Sequence, residues 1–337
     1  MQADSPTARF GALLAGFSSR RVLVVGDLML DEFIWGKVSR ISPEAPVPIV
    51  DVTGESYYPG GAANVARNLR EFTENVALLG LAGADAAGNR LLGLLEAAGI
   101  DVSCVQRDAA YRTTMKTRII ARNQQVVRVD REQKPLLTGA QTARAIEQLD
   151  GMMDRVDAIV VADYGKGFLT QPLADHLCRT ARERGKILTV DPHPHTLLSW
   201  RGVTAVKPNR MEAFLAVGLP PAEPVTPVLD DLALLEAGRR LRQLWQAENL
   251  LITLGEHGML LFAGNAPARH TPTRAQDVFD VSGAGDTAIA VLTLGLAAGA
   301  TPVEAAELAN RASGIAVGKL GTATVTAGEL QASFRSP

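Results

Sequence analysis

The stretch DVSGAGDTA, residues 280–288, admits two incompatible folds. Read as Gly283-x-Gly285-x-x-Ala288, it fits the glycine fingerprint of a dinucleotide-binding unit, where a tight turn and a helix N-terminus receive a pyrophosphate. Read around Asp286, it sets an acid where phosphate would be repelled, which makes chemical sense if the acid takes a proton from a nucleophile beside that phosphate. A dinucleotide turn follows the first strand and has a ribose-binding acid about 20 residues on. This turn lies late in a chain of 337 residues, and only Glu304 and Glu307 fall near that distance. Position therefore favours the second reading. The N–H groups of Gly283, Ala284 and Gly285, with the dipole of the apolar helix beyond, stabilise a transferring phosphoryl group, and Asp286 acts as general base. A glycine turn whose Asp merely caps a helix remains the alternative.

Outward from that turn, AIAVLTLGLAAGA (288–300) is too short to span a bilayer and reads as a buried core helix. The runs RVLVVGD (21–27), NVALLG (75–80), DAIVVAD (157–163), KILTVD (186–191), AVKPN (205–209) and NLLITLG (249–255) read as buried parallel strands. Helical periodicity in GNRLLGLLEAAG and TARAIEQLDGMM separates them. The alternation predicts an α/β fold, a doubly wound, mostly parallel sheet flanked by helices. PVPIVDV (46–52) and the pair TTMKTRIIA and QVVRVDRE break the rhythm and predict a small antiparallel β lid, with a hairpin turn at Arg122-Asn123-Gln124. The expected layout is an N-terminal helix or tail over 1–20, one domain over 21–330 with lid strands near 34–53 and 112–131, and a C-terminal tail over 331–337.

A net charge of −2 gives no basic surface, which argues against nucleic acid as a partner. The first twenty residues carry Asp4, Arg9 and Arg20 and no apolar run of secretory length, so neither a leader nor a membrane partner is expected. Cys104 and Cys178 are too few for a disulfide framework, which fits a reducing cytoplasm. No G-x-x-x-x-G-K-[ST] sequence occurs, so phosphoryl transfer would need a fold other than a P-loop.

In open α/β sheets ligands gather beyond the carboxyl ends of the strands, where this chain has Asp27, Asp163, Asp191 and Asn209. Each of these also suits a turn or helix cap. Asn209 and Glu212, at i and i+3, share a face at a helix start and offer hard oxygens that suit Mg²⁺ held through water. Gly60 and Gly61 allow close backbone approach, and Asn64 both gives and accepts hydrogen bonds.

DVSGAGDTA and PGGAANVARNL (59–69) resemble, in order, the second and first signatures of the ribokinase-like, or PfkB-type, carbohydrate kinases. KPNRMEA (207–213) resembles the family's Asn-x-x-Glu element and TLGEHG (253–258) its nucleotide-side turn; the likeness runs from about residue 20 to 330. The resemblance implies ATP and Mg²⁺, with Thr253, Gly255, Gly258 and Ser282 to Gly285 around the nucleotide, and Asp27, with Asp31 beside it, accepting from sugar hydroxyls. It also implies a homodimer through the β lid.

Within that family, the run from Leu23 to Val52, with YYPGGAANVARNL and VADYGKGFLT, resembles the kinases that phosphorylate O1 of D-glycero-β-D-manno-heptose 7-phosphate for lipopolysaccharide synthesis. Some of these carry a fused nucleotidyltransferase domain, which is expected to be absent here. A phosphorylated acceptor calls for cations. Lys116, Arg118, Arg122 and Arg128 on the lid and Lys166 in DYGKG are the candidates, and alternation sets the first three on one strand face. DPHPH (191–195) has His193 where related kinases have Lys, and the two histidines make a poor metal site. The rivals are a kinase of this fold acting on fructose 1-phosphate or ribose, and a non-catalytic sugar- or nucleotide-binding regulator.

Overall fold

The computed structural model describes residues 6–122, 124–133, 137–196, 198–274, 278–319 and 321–334. Its strands are β1 (Arg21–Gly26), β2 (Leu28–Ile41), β3 (Pro48–Gly61), β4 (Asn75–Gly83), β5 (Asp101–Asp108), β6 (Thr114–Ala121), β7 (Gln124–Arg131), β8 (Ala158–Ala162), β9 (Ile187–Asp191), β10 (Ala205–Val206), β11 (Asn249–Thr253), β12 (Met259–Ala263) and β13 (Arg269–Thr271). The helices are α1 (Pro6–Ala15), α2 (Ala62–Arg70), α3 (Ala86–Ala97), α4 (Gly139–Met153), α5 (Gln171–Glu183), α6 (Arg210–Ala216), α7 (Leu232–Trp245), α8 (Ala284–Ala297), α9 (Pro302–Val317) and α10 (Ala327–Ala332).

Strand β1 is apolar at every interior position because both of its faces are covered. Val22 and Val24 join a core with residues of α2, α3, α8 and α9, while Leu23 and Val25 join a second core with α4, α5, α6 and α7. Two-sided burial is what a continuous apolar run signals, at about 1.5–3 kcal/mol per fully buried large aliphatic side chain. The main sheet has the order β13-β12-β11-β10-β9-β8-β1-β4-β5. It is parallel from β5 to β11, and β12 and β13 add antiparallel edge strands.

A second sheet, β3-β2-β6-β7, stands off this body. Its hairpin β6–β7 is antiparallel as expected, β2 and β3 form a further antiparallel hairpin, and the central β2–β6 pairing is parallel. The first hairpin is longer than the sequence suggested, with two strands of 14 residues. Their inner ends, Leu28–Asp31 and Pro59–Gly61, are buried, and the outer ends rise into solvent. The lid thus grows directly from the end of β1 and returns at the start of α2. At the chain ends, Leu13 of α1 and the nearby Phe17 are buried in the first core, and Phe10 stacks on Phe334 with ring centroids 4.3 Å apart.

Candidate active site

Neighbours β4 and β8 leave β1 on opposite sides, so a crevice opens beyond the carboxyl ends of these strands. Asp286 stands there in the first turn of α8, held from both sides. Asn64 Nδ2 of α2 donates to its Oδ2 at 2.6 Å, and the Tyr164 hydroxyl, after β8, donates to its Oδ1. The two helices are tied together behind the site. Thr287 Oγ1 donates to Asn68 Oδ1 at 2.7 Å, and Asn68 Nδ2 donates to the Asn64 carbonyl at 2.9 Å. Desolvation pushes the Asp286 carboxyl up to about 6, against the pull of its two donors. It is then ionised at neutral pH yet basic enough to take a proton.

The turn itself demands glycine. Gly283 has φ +82° as the cap of α8, and a Cβ there would sit 3.1 Å from Asn64 Nδ2. Beside it, Asn64 Oδ1 is buried and has no partner among the described residues. A buried acceptor left unpaired costs about 1–3 kcal/mol, so a ligand hydroxyl at that spot has a ready partner.

Lys207, which the sequence reading passed over, belongs to this group. Its Nζ lies 2.9 Å from Asp191 Oδ2, and a Cβ placed on Gly285 would be 3.5 Å from it. At 3% exposure it is a buried cation at the glycine turn. The signal was available: a lysine immediately after a buried strand, in a row of strand ends that otherwise carry acids, needs a buried partner.

Asn209 and Glu212 cap α6 reciprocally. Asn209 Oδ1 accepts from the Glu212 N–H at 2.9 Å, and Glu212 Oε2 accepts from the Asn209 N–H at 2.7 Å. Burial pushes the Glu212 carboxyl up, with Asp191 and Asp163 adding to the rise. Clustered acids with oxygen-only donors fit Mg²⁺ held mainly through water and substrate oxygens. Among the described residues no group of three or more His, Cys, Asp or Glu side chains is arranged to cage a metal.

A cleft of about 380 Å³ adjoins the turn. Thr253, Gly255 and Gly258 line it together with Ala284 and Gly285, whereas Ser282 and Gly283 of the expected nucleotide side are not part of its lining. Met259, Val278, Val281 and Val317 give it apolar walls, and Asn310 and Ser313 supply polar points. Ser282 is exposed next to it, its N–H donating to Asp280 Oδ1.

On the lid side, three expectations change. Asp27 is 2% exposed, and its carboxylate accepts from the backbone N–H groups of Tyr164, Lys166 and Phe168 at 2.9–3.1 Å. Both oxygens are engaged in holding the DYGKGF turn, while Asp31, on β2, is a second buried acid nearby. Asp31 pairs with Arg118, and a Cβ on Gly60 would meet its Oδ2 at 2.3 Å. Gly61, next along, has φ +60° at the start of α2. Arg122 does not share the face of Lys116 and Arg118. A register shift falls between Ile119 and Ile120, β6 ends at Ala121, and Arg122 sits in left-handed backbone reaching the Val38 carbonyl. Arg128 lies opposite Arg118 as alternation requires, but its fork is closed on Asp130 at 2.9 and 3.1 Å. Lys116 and Lys166 converge instead, through ion pairs to Glu132. His193 packs against the same turn, its Nδ1 3.0 Å from where a Gly165 Cβ would lie.

A glycine turn at the start of α8, a carboxylate held between two donors and a buried lysine thus stand beside a cleft of about 380 Å³. The model of pfkB family carbohydrate kinases matches residues 19–327. The chain belongs to that family and is a carbohydrate kinase. Curated relatives include the bifunctional protein HldE of Desulfatibacillum aliphaticivorans, 43% identical over 319 residues, and that of Trichlorobacter lovleyi, 44% identical over 316. These matches cover 95% and 94% of this chain but 64% and 63% of those proteins. The chain thus spans just under two thirds of their length. Among solved structures, phosphofructokinase-2 from Escherichia coli in complex with potassium aligns with a TM-score of 0.74 at 20% identity, over 94% of this chain and 98% of that one. Arabidopsis thaliana ribokinase complexed with ribose and ATP aligns at 0.70 and 15% identity, over 94% and 99%. Both show the fold, ribokinase-like with its off-standing small sheet.

Proposed function

We propose that this kinase transfers the γ-phosphoryl group of ATP to O1 of D-glycero-β-D-manno-heptose 7-phosphate, giving the 1,7-bisphosphate and ADP. The observation that carries the phosphoryl-transfer step is Asp286, fixed by Asn64 and Tyr164 next to the glycine turn, with its carboxyl near 6. The acceptor assignment draws on the HldE relatives and on the motifs between Leu23 and Thr170.

In this reading the cleft beside α8 takes adenosine, its valine and methionine walls against the base and Thr253, Gly255 and Gly258 toward ribose and phosphates. The sugar lies across the glycine turn, with Asn64 Oδ1 accepting from one hydroxyl and Asp31 from another. Asp286 takes the O1 proton, O1 attacks the γ-phosphorus in line, the bond to the β,γ-bridging oxygen breaks, and ADP leaves with that oxygen. The amides of Gly283 and Gly285 and the Lys207 ammonium hold the charge that develops on the γ-oxygens, the Ala284 N–H being given to the Val281 carbonyl at 3.3 Å. Mg²⁺, held by Glu212 and Asn209 through water, would neutralise phosphate charge. Lid closure excludes water as a competing acceptor.

The lid carries the exposed apolar side chains Ile41, Val47 and Val52 on one hairpin and Val126, Val127 and Val129 on the other. A second copy of the chain covering them is the homodimer this reading includes, in the cytoplasm, without nucleic acid or membrane as partner. No helix among the described residues is long and apolar enough to cross a membrane.

The test is a coupled ADP-release assay with ATP and Mg²⁺ that compares heptose 7-phosphate, fructose 1-phosphate, fructose 6-phosphate and ribose at equal concentration. The expected result is turnover with the heptose phosphate at least about tenfold above any other, a gap of roughly 1.4 kcal/mol in transition-state binding. Preference for another sugar overturns the acceptor and leaves the base in place. ADP from none of them favours a binding role.

A further inference from the structure

We infer that Glu132 is an internal stand-in for the acceptor's resident phosphate: in the free protein it occupies an anion site formed by Lys116 and Lys166, and a phosphate monoester displaces it. This rests on the reading that the acceptor is already phosphorylated.

The geometry comes from two separate parts of the fold. Lys166 Nζ lies 2.7 Å from Glu132 Oε2, and Lys116 Nζ lies 3.8 Å from the same oxygen. Lys116 is on lid strand β6, whereas Lys166 is in the turn after β8, its backbone N–H anchored on Asp27 Oδ2 at 3.0 Å. Both side chains are largely covered, at 18% and 15% exposure, so two ammonium groups converge in a partly desolvated space. Glu132 is the only acidic partner of Lys166 among the described residues, while Lys116 keeps Asp130 at 3.0 Å.

The three groups differ in how firmly they are held. Lys116 sits in a paired strand and Lys166 in a turn tied to Asp27, whereas Glu132 lies past the last residue of β7, outside the ladder. The acid can therefore leave while the cations stay. The Lys166 ammonium holds the Glu132 carboxyl below the usual carboxylate range, so it is anionic when the site is otherwise empty of ligand. A phosphate monoester brings nearly two negative charges and three acceptor oxygens against one charge, and so outcompetes a carboxylate for two ammonium groups. An unphosphorylated sugar brings nothing that does so. Arg118 and Arg128 are unsuited to the same exchange, because their guanidinium groups are closed on Asp31 and Asp130, and Arg118 also lies over the Phe33 ring at 5.1 Å.

Glu132 also ties the end of β7 to the DYGKGF turn, so its displacement releases the lid edge at the moment a phosphorylated acceptor arrives. Specificity and lid movement then share one ion pair.

The test uses the full chain saturated with a non-hydrolysable ATP analogue, so that the phosphate sites of the nucleotide are filled, with inorganic phosphate titrated by calorimetry. Glu132→Gln is expected to bind phosphate about two- to fivefold more tightly than the parent, the size of a partly exposed ion pair removed. Lys166→Met is expected to bind it about 10- to 100-fold more weakly, and the double variant to show no gain over Lys166→Met. Steady-state kinetics should move in parallel, with KM for the sugar phosphate changing and KM for ATP unchanged. Unaltered or weaker phosphate binding by Glu132→Gln, in a variant whose melting temperature matches the parent, overturns the inference. Because inorganic phosphate is the probe, that failure is distinct from failure of the heptose reading, which the acceptor panel reports separately.

Discussion

Around the cleft beside α8 the walls are small or apolar side chains, among them Gly255 and Gly258 between β11 and β12, Val281 ahead of α8 and Val317 at the end of α9. Across the crevice the lid strands carry Lys116, Arg118 and Arg128 and the turn after β8 carries Lys166, each answered by Asp31, Asp130 or Glu132. The second surface holds its cations in internal ion pairs, of which Lys166–Glu132 is the one proposed to yield to a ligand. A kinase that takes one constant donor and one particular acceptor has reason to be built this way. The donor side is preorganised, and selectivity rests with groups whose pairing depends on what enters.

Substitutions on the rigid side should break chemistry most. Asp286→Asn is expected to lower kcat by about a thousand- to ten-thousandfold while calorimetric affinity for an ATP analogue stays within error. Turnover near the parent value would remove Asp286 as base. Lys207→Met is expected to cost about a hundred- to thousandfold in kcat, the scale of losing one fixed donor to the transition state. It also strands Asp191, at about 3–5 kcal/mol of stability read from denaturant melts. Adding Asp191→Asn should restore stability without restoring turnover; recovery of both would mean that Lys207 acts only as a structural counter-ion.

The pH profile gives a smaller, graded effect. Since the Asp286 carboxyl sits near 6 and must be ionised to accept the O1 proton, kcat/KM should be level above about pH 7 and fall as pH drops through 6, approaching tenfold per unit. A profile level down to pH 5 would contradict that environment. The smallest effect is expected at the outer lid. Ile41→Lys with Val52→Lys should shift sedimentation from dimer toward monomer with little change in kcat, and an unchanged dimer would place the interface elsewhere.

Legibility in the sequence follows the same division. The buried strands β1, β4, β8, β9 and β11 announce themselves because two covered faces leave no polar position, and the run AIAVLTLGLAAGA forms the core of α8 for the same reason. β2 hides, since LMLDEFIWGKVSRI mixes buried and exposed ends and register shifts at Trp35/Gly36 and Val38/Arg40 break its alternation. Asp286 and Asn64 were found through motifs. Tyr164 and Lys207 were not, because their partners are remote in sequence or across a turn, as with Tyr164 and Asp286, 122 positions apart. Asp27 shows the limit, because a strand-end acid reads alike whether it faces a ligand or three backbone N–H groups.

The most direct test of the central claim is ³¹P and ¹³C NMR of the product formed from ATP and D-glycero-β-D-manno-heptose 7-phosphate with the parent enzyme, run beside Asp286→Asn. The account predicts a second phosphorus resonance coupled to the anomeric carbon, one ADP for each, and no such signal with the variant. A new phosphate on any other carbon, or equal product from the variant, would contradict it.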